Sequence, residues 1–326
     1  MGGDFAPRTV VDGAVLAARR LDVGVTLVGD AAALEQELER HLDRAALDLT
    51  VVDASDCVGM DEAASPALRR KPRASVKVAA ELVANGDAAA LFSAGHTGAT
   101  VMAAHAAFGM LPGLDRPALA ATLPARDNAV VLLDSGASVE CRPAHLVQFA
   151  LMGAAFARTA LGVAEPRVGL LSIGGEASKG NDLTREAHRL LQTAPVNFVG
   201  NVEAGDLYAG RADVVVCDGF TGNIALKVSE GLVETVEGML REELAQTLGT
   251  RLGWLLSRRA FRNFRRKVDY AEHGGAPLLG VAGITVVGHG RSSAKAVRSA
   301  ILMAARLDGA GFIDKLKVDA SARQAS

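Results

Sequence analysis

Short apolar, β-branched runs alternate with helical patterns along this chain, and that alternation restricts its fold more than any other feature. Val25–Val28, Leu49–Asp53, Ala88–Phe92, Val130–Leu133, Val168–Ile173, Asn197–Val199, Val214–Cys217 and Ile284–Val287 read as strands. Between them Ala31–Arg40, Ser75–Ala84, Pro143–Leu161, Leu183–Gln192 and Gly222–Leu244 carry helical periodicity, as does a last segment from Ser292 to about Leu307. Strands separated by helices predict a mostly parallel sheet with helices on both faces, a three-layer α/β/α arrangement. No linker or repeat interrupts the pattern, so a single domain over residues 1–326 is expected, with a frayed tail after Lys317.

Hydrophobic residues make up 49% of the 326 positions, which is ample for a core, yet aromatics are only 4%. Ala, Val, Leu and Gly must do the packing, which suits close helix-on-sheet layers and argues against base-stacking platforms. A formal net charge of −2 gives no global attraction to nucleic acid, and no nucleic-acid partner is expected. Cys57, Cys141 and Cys217 are too scattered for a disulfide framework or a metal site, which points to a reducing compartment. The start lacks a basic segment followed by an apolar one, so no secretory leader is expected. Residues 88–114 carry no Asp, Glu, Lys or Arg and are long enough to span a bilayer. Ser93, Gly95, His96, Thr97, Gly98 and His105 interrupt them, and a buried strand, a loop and a buried helix are the better reading.

Polar, glycine-rich turns recur where the strands end: "SAGHTGA", "DSGAS", "GGEASKGND", "DGFTGN" and "GHGRSS". Ligands of such sheets collect at the carboxyl ends of strands. One Gly after a strand is an ordinary turn, but the coincidence predicts a crevice lined by backbone N–H groups and helix starts, suited to phosphate. No Walker-type loop, dinucleotide fingerprint, nucleophile elbow or metal-ligand spacing occurs, so neither cofactor nor metal is expected.

Within these turns Lys179 is the strongest single candidate, since a cation between strand and helix can hold phosphate or polarise a carbonyl. Asn181 and Asp182 read as caps of the following helix. Asp218 ends an apolar strand, where an isolated buried carboxylate would be costly. Thr221 and Asn223 open the next helix, with Lys227 one turn after Asn223; capping by Thr221 and a solvated Lys227 are the plain alternative. His96, Thr97 and Gly98 could offer imidazole, hydroxyl and helix-start N–H groups to an anion. His96 reads equally as a hydrogen-bonded loop histidine, and His289 has the same two readings.

Thr247–Val268 departs from the rest, with seven basic residues, no acid and the only Trp. Trp254 and Leu255 together with Arg258, Arg259, Arg262, Arg265, Arg266 and Lys267 suit an anionic membrane surface or an acidic protein partner. An exposed helix pair packed on its own domain or on a second subunit is the third reading.

Taken together, "MGGDFAP", "ALRRK", "SAGHTGA", "RPALAATLP", "LLDSGAS", "QFALMG", "KGN", "NFVGNVEAGD", "VVVCDGFTGNIALK" and "GGAPLLGV…GHGRSS" resemble the bacterial phosphate acyltransferase family of phospholipid synthesis. The resemblance covers nearly the whole chain. It implies an α/β/α fold like that of isocitrate and isopropylmalate dehydrogenases, related to phosphotransacetylases, in a cytoplasmic homodimer that touches membranes peripherally. It implies transfer of a fatty acyl group from acyl carrier protein to inorganic phosphate, giving an acyl phosphate for a downstream acyltransferase. Lys179, Asp218 and Asn223 would then be catalytic. Asp4, His96, Thr97, Gly98, Thr221, Lys227 and His289 would bind phosphate or the acyl group. The acidic carrier protein would meet Arg69, Arg70, Lys71 and Arg73, or the 258–267 run. An acyl-CoA-dependent phosphotransacetylase and a catalytically silent membrane scaffold are the rival readings.

Departures from the family pattern fall at His96, Ser138 and Ser172, where Asn is usual, at Ala74-Ser75, where a Ser pair is usual, and at Gly175-Glu176, where Glu-Glu is usual. The family also carries a short apolar strand before Met-Gly-Gly-Asp. The resemblance therefore implies a fold lacking its first strand.

Overall fold

The computed structural model describes residues 1–126, 129–247, 249–250, 253–259, 261 and 274–322. β-branched and Leu-rich runs form strands Val25–Gly29 (β1), Leu49–Asp53 (β2), Ala90–Ser93 (β3), Ala118–Leu119 (β4), Ala121–Pro124 (β5) and Ala129–Leu133 (β6). Arg167–Leu171 (β7), Asn197–Val202 (β8), Val214–Val216 (β9), Ala276–Leu279 (β10) and Ile284–Val287 (β11) complete them. The helices are Arg8–Ala18 (α1), Ala31–Leu38 (α2), Ala64–Arg70 (α3), Ser75–Ala84 (α4), Thr97–Phe108 (α5) and Pro143–Phe156 (α6). They continue with Asp182–Leu191 (α7), Asp206–Ala209 (α8), Gly219–Ala245 (α9), Ala294–Gly309 (α10) and Phe312–Ala322 (α11).

The strands make three ladders among the described residues: β1-β2, β3-β11-β10-β4 and β5-β6-β9-β7-β8. Five of the eight pairings are parallel, as the helix-separated strands require, and the antiparallel ones involve β4, β5 and β10. Those three strands escape sequence reading for a physical reason. β4 and β5 are short and Ala-rich, and β10 contains Pro277, so none shows the β-branched pattern.

α6 is apolar all round because it is buried all round. Leu146, Phe149, Met152 and Phe156 are wholly inaccessible, and Phe156 meets Phe312 of α11 edge to face at 6.2 Å. Among the described residues Pro143–Leu161 is the one helix apolar and long enough to cross a bilayer, and 72% of that stretch is buried in the protein. The uncharged 88–114 stretch resolves into β3, a loop and α5, as expected.

The parallel strands β6, β7 and β9 send their carboxyl ends to one edge, followed by Asp134, Ser172 and Cys217-Asp218. The turns "DSGAS", "GGEASKGND" and "DGFTGN" begin there or just after.

Candidate active site

Asp134 is the organising residue of this edge. It is fully buried, and its carboxylate accepts from the backbone N–H groups of Leu119, Gly136, Ala137 and Ser138 at 2.6–2.9 Å. Burial pushes its pKa up, and those four donors pull against the shift. The loop they hold, 134–138, is the platform for α9: Gly219 N–H donates to Ser138 O at 2.9 Å. A Cβ at Gly222 would lie 1.9 Å from Asp134 O, and one at Gly219 would lie 2.6 Å from Asp134 Oδ2. The glycines of "DGFTGN" therefore serve close packing. Sequence reading passed over Asp134, although it follows an apolar strand just as Asp218 does.

Asp218 is half-buried and caps α9: Oδ1 accepts from Thr221 N–H at 2.9 Å and Oδ2 from Thr221 Oγ at 2.7 Å. The expected cap at Thr221 is thus reversed, with the carboxylate as cap and the threonine as donor. Asn223 is exposed and turns to the 134–138 loop, 3.6 Å from where a Gly136 Cβ would stand.

Lys227 takes the opposite direction. Its Nζ lies 3.1 Å from Glu230 Oε2 and 3.0 Å from His289 Nε2. The His289 loop is tied to the amino-terminal turn, because Asp4 N–H donates to Gly290 O at 2.9 Å. Asp4 and His289, far apart in sequence, so become neighbours. Arg291 lines the same cleft and was seen in the sequence only as part of a motif. The signal available was an Arg two residues after His289 in one glycine-rich turn.

This cleft opens into a cavity of about 1530 Å³. Asp218, Thr221, Lys227, His289 and Arg291 line it with the apolar Leu171, Ile173, Leu207, Ile224 and Val228. Ser172 also lines it, and its buried Oγ has no hydrogen-bond partner. Lys179 stands exposed in the loop before α7, its stem over Gly174, beside Gly180 and Asn181 of the cavity wall. Asn181 caps α7 through Thr184 N–H at 2.9 Å, as expected.

The structure does not bring His96, Thr97 and Gly98 into this cavity. His96 Nδ1 accepts from Ala99 N–H at 3.3 Å, capping α5, and its Nε2 is 3.0 Å from Glu62 O. Both ring nitrogens are engaged, which fits the loop-histidine reading. Ser138 donates to Pro117 O at 2.9 Å and belongs to the buried frame.

Of the basic patch near α3, Lys71 is held by Glu62 and Cys57 O, and Arg73 by Asp53, while Arg69 and Arg70 are exposed. Residues 253–259 are helical and exposed, with Trp254, Leu255, Arg258 and Arg259 among them, and the Arg258 guanidinium lies 6.0 Å from the Trp254 ring centre. Arg262, Arg265, Arg266 and Lys267 lie outside the described residues. Among the described residues no cluster of three His, Cys, Asp or Glu side chains could hold a metal.

Residues 1–315 match the family model described as "Fatty acid synthesis protein". A phosphate acyltransferase of Geobacter sulfurreducens is 51% identical over 301 residues, 92% of this chain and 87% of that protein. One of Nitratidesulfovibrio vulgaris is 53% identical over 307 residues, 94% of this chain and 88% of that protein. Of solved structures, a phosphotransacetylase from Streptococcus pyogenes superposes with a TM-score of 0.61 at 19% identity, over 91% of each chain. A 4-hydroxythreonine-4-phosphate dehydrogenase from Klebsiella pneumoniae does so with 0.50 at 13%, over 93% of this chain and 94% of that one. At those identities the likeness is one of α/β fold alone. With a family model matched along nearly its whole length and relatives this similar, the chain belongs to the phosphate acyltransferase family.

Proposed function

We propose that this protein transfers a long-chain fatty acyl group from acyl carrier protein to inorganic phosphate. The observation that carries the reading is one cavity in which Lys227, His289 and Arg291 stand beside the apolar side chains of Leu207, Ile224 and Val228. Cations suit the phosphate, and the apolar groove suits the chain.

A phosphate oxygen attacks the thioester carbonyl carbon, the C–O bond forms, and the tetrahedral oxyanion collapses as the C–S bond breaks. The thiolate leaves and takes up a proton, and acyl phosphate remains. Holding both reactants in one cleft supplies the orientation, and Lys179 with the nearby N–H groups steadies the oxyanion. Asp218 and Asn223 orient the cations and the phosphate. Asp4, beside the His289 loop, helps to bind the phosphate.

The working unit in this reading is one domain in a cytoplasmic homodimer that touches the membrane peripherally and passes acyl phosphate to a downstream acyltransferase. Phe220, Ile224, Val228, Leu232 and Val236 repeat every fourth residue along α9 and are exposed, a stripe suited to a second subunit. Arg69, Arg70 and the basic run offer positive charge to the acidic carrier protein or to anionic lipid. Reversing the charges of that run and measuring vesicle binding and carrier-protein turnover separately tells the two apart.

Trapping acyl phosphate with hydroxylamine tests the reaction, with acyl carrier protein and acyl-CoA as alternative donors. Hydroxamate from the carrier-protein donor is expected. Preference for acyl-CoA would favour a phosphotransacetylase-like enzyme, and no hydroxamate from either would favour a silent scaffold.

A further inference from the structure

Asn201 and His188 are polar side chains buried to 4% and 8% exposure where β8 meets α7. A bulge in β8 brings Asn201 there. Val168 pairs with Phe198 and Leu170 with Asn201, so Gly169 of β7 stands opposite two residues, Val199 and Gly200. Gly200 has φ +94°, a left-handed conformation that a side chain would strain. The extra residue breaks the alternation of the strand, so that positions three apart share a face. Phe198 and Asn201 accordingly both turn to His188. The Phe198 ring meets the imidazole edge to face at 5.1 Å, and Asn201 Oδ1 lies 2.8 Å from His188 Nδ1.

The hydrogen bonds fix how each group faces. Asn201 Nδ2 donates to Glu176 O at 2.8 Å. Its Oδ1 can only accept, so His188 Nδ1 carries the proton and donates to it. Nε2 of the neutral ring is then the acceptor, 3.5 Å from Gln192 Nε2. A reversed Asn201 amide would set two acceptors against each other at Glu176, and His188 selects against it.

Glu176 O also accepts the backbone N–H of Lys179 at 3.0 Å, which closes the turn 176–179. One carbonyl thus ties the buried amide to the main chain of Lys179. Asn181 holds the far end of the same loop by capping α7. Burying an amide and an imidazole carries a desolvation cost that an apolar pair would avoid. What the polar pair adds is a fixed carbonyl at the first position of the turn that ends in Lys179.

We propose that Asn201 is a positioning residue for the acyl transfer: through Glu176 O it sets the turn that presents Lys179, and His188 holds its amide the right way round. The role rests on the reading of Lys179 as the cation that steadies the oxyanion. Neither Asn201 nor His188 touches the reactants in it. Both act through the loop.

In Asn201→Asp one oxygen still accepts from His188, but the donor to Glu176 O becomes a second acceptor. Its kcat for hydroxamate formation is expected to fall about ten-fold, with the KM for phosphate and for the acyl donor within about two-fold of the parent, as for a group misplaced in the transition state. Amide hydrogen exchange at Lys179 is expected to quicken about ten-fold, while that of residues 187–191 in α7 keeps the parent rate. In the Lys179→Ala background the same substitution is expected to change kcat by less than about two-fold, since no cation is left to misplace. His188→Phe keeps a ring against Phe198 but frees the Asn201 amide, and it carries the same three measurements if Asn201→Asp does not fold. Parental kcat in the folded variant, a loss that persists undiminished without Lys179, or unchanged exchange at Lys179 overturns the proposal and leaves the reading of Lys179 standing. Parental turnover by Lys179→Ala alone removes that reading, and the proposal falls with it.

Discussion

The Lys227 amine lies 3.0 Å from His289 Nε2, while His289 Nδ1 accepts the backbone N–H of Arg291 at 3.2 Å. With Nδ1 acting as acceptor, a neutral ring carries its proton on Nε2, which then faces the Lys227 ammonium. Two donors then face each other, with Glu230 Oε2 accepting from the Lys227 side at 3.1 Å. An anion oxygen placed there would satisfy both, and the Arg291 side chain lines the same cavity.

Removing either donor should weaken phosphate binding more than turnover. Lys227→Met and His289→Ala are each expected to raise the KM for phosphate about ten-fold, since a charge-assisted hydrogen bond is worth roughly 1.5–3 kcal/mol. The double variant should lose less than the product of the singles, because both donors serve one oxygen. Steady-state kinetics over a phosphate series checks this. An unchanged KM in both single variants would remove the pair from the site.

Lys179 is exposed and packs only its stem against Gly174, so its loss should cost activity and not stability. Lys179→Ala is expected to lower kcat by roughly 10²-fold or more, the scale of losing one oxyanion donor. Its unfolding temperature should match that of the unsubstituted chain. Wild-type hydroxamate formation by this variant would take Lys179 out of the reaction.

Asp134 should behave in the opposite way. In Asp134→Asn the retained oxygen can still accept from Leu119, Gly136 and Ala137 N–H, but the new amide NH₂ would face Ser138 N–H. Donor against donor in a buried site is expected to cost about 1–3 kcal/mol in urea unfolding. Activity should fall with it, since Ser138 O holds the first turn of α9. A variant as stable as the parent chain would mean that the 134–138 loop does not depend on that carboxylate.

The strands with β-branched runs were legible in the sequence because burial between helix layers selects those residues. The helices α4, α7 and α9 were legible because their starts and periodicity are local properties. The candidate site was only half legible. Asp218, Thr221, Lys227 and His289 do share a cavity, but the roles of Asp218 and Thr221 as cap and donor depend on side-chain geometry. His96 shows the limit more sharply: a histidine before a helix start looks the same in sequence whether it meets an anion or caps the helix with Nδ1. Asp134 was missed because its four partners are backbone groups, which leave no trace in residue types.

Cys141 gives a pH-dependent prediction. Burial, with the Asp134 carboxylate adding to it, pushes its thiol from the ordinary 9.0 up to about 11. The unfolded chain therefore loses this proton first. Between those two values the unfolded state binds fewer protons than the native state, so stability falls as pH rises. The contribution is fully present below about pH 9 and is lost as pH climbs through the folded value of about 11. Other groups titrate in the same range, so the informative quantity is the difference between the parent chain and Cys141→Ala. The variant should lose less of its unfolding temperature between pH 8.5 and 10.5 than the parent, a window on the order of the thiol's own range. Parallel curves for the two proteins would show that the thiol ionises alike in both states. The same burial should make alkylation of native Cys141 and Cys217 by iodoacetamide at neutral pH far slower than in urea, because the thiolate is the reacting form.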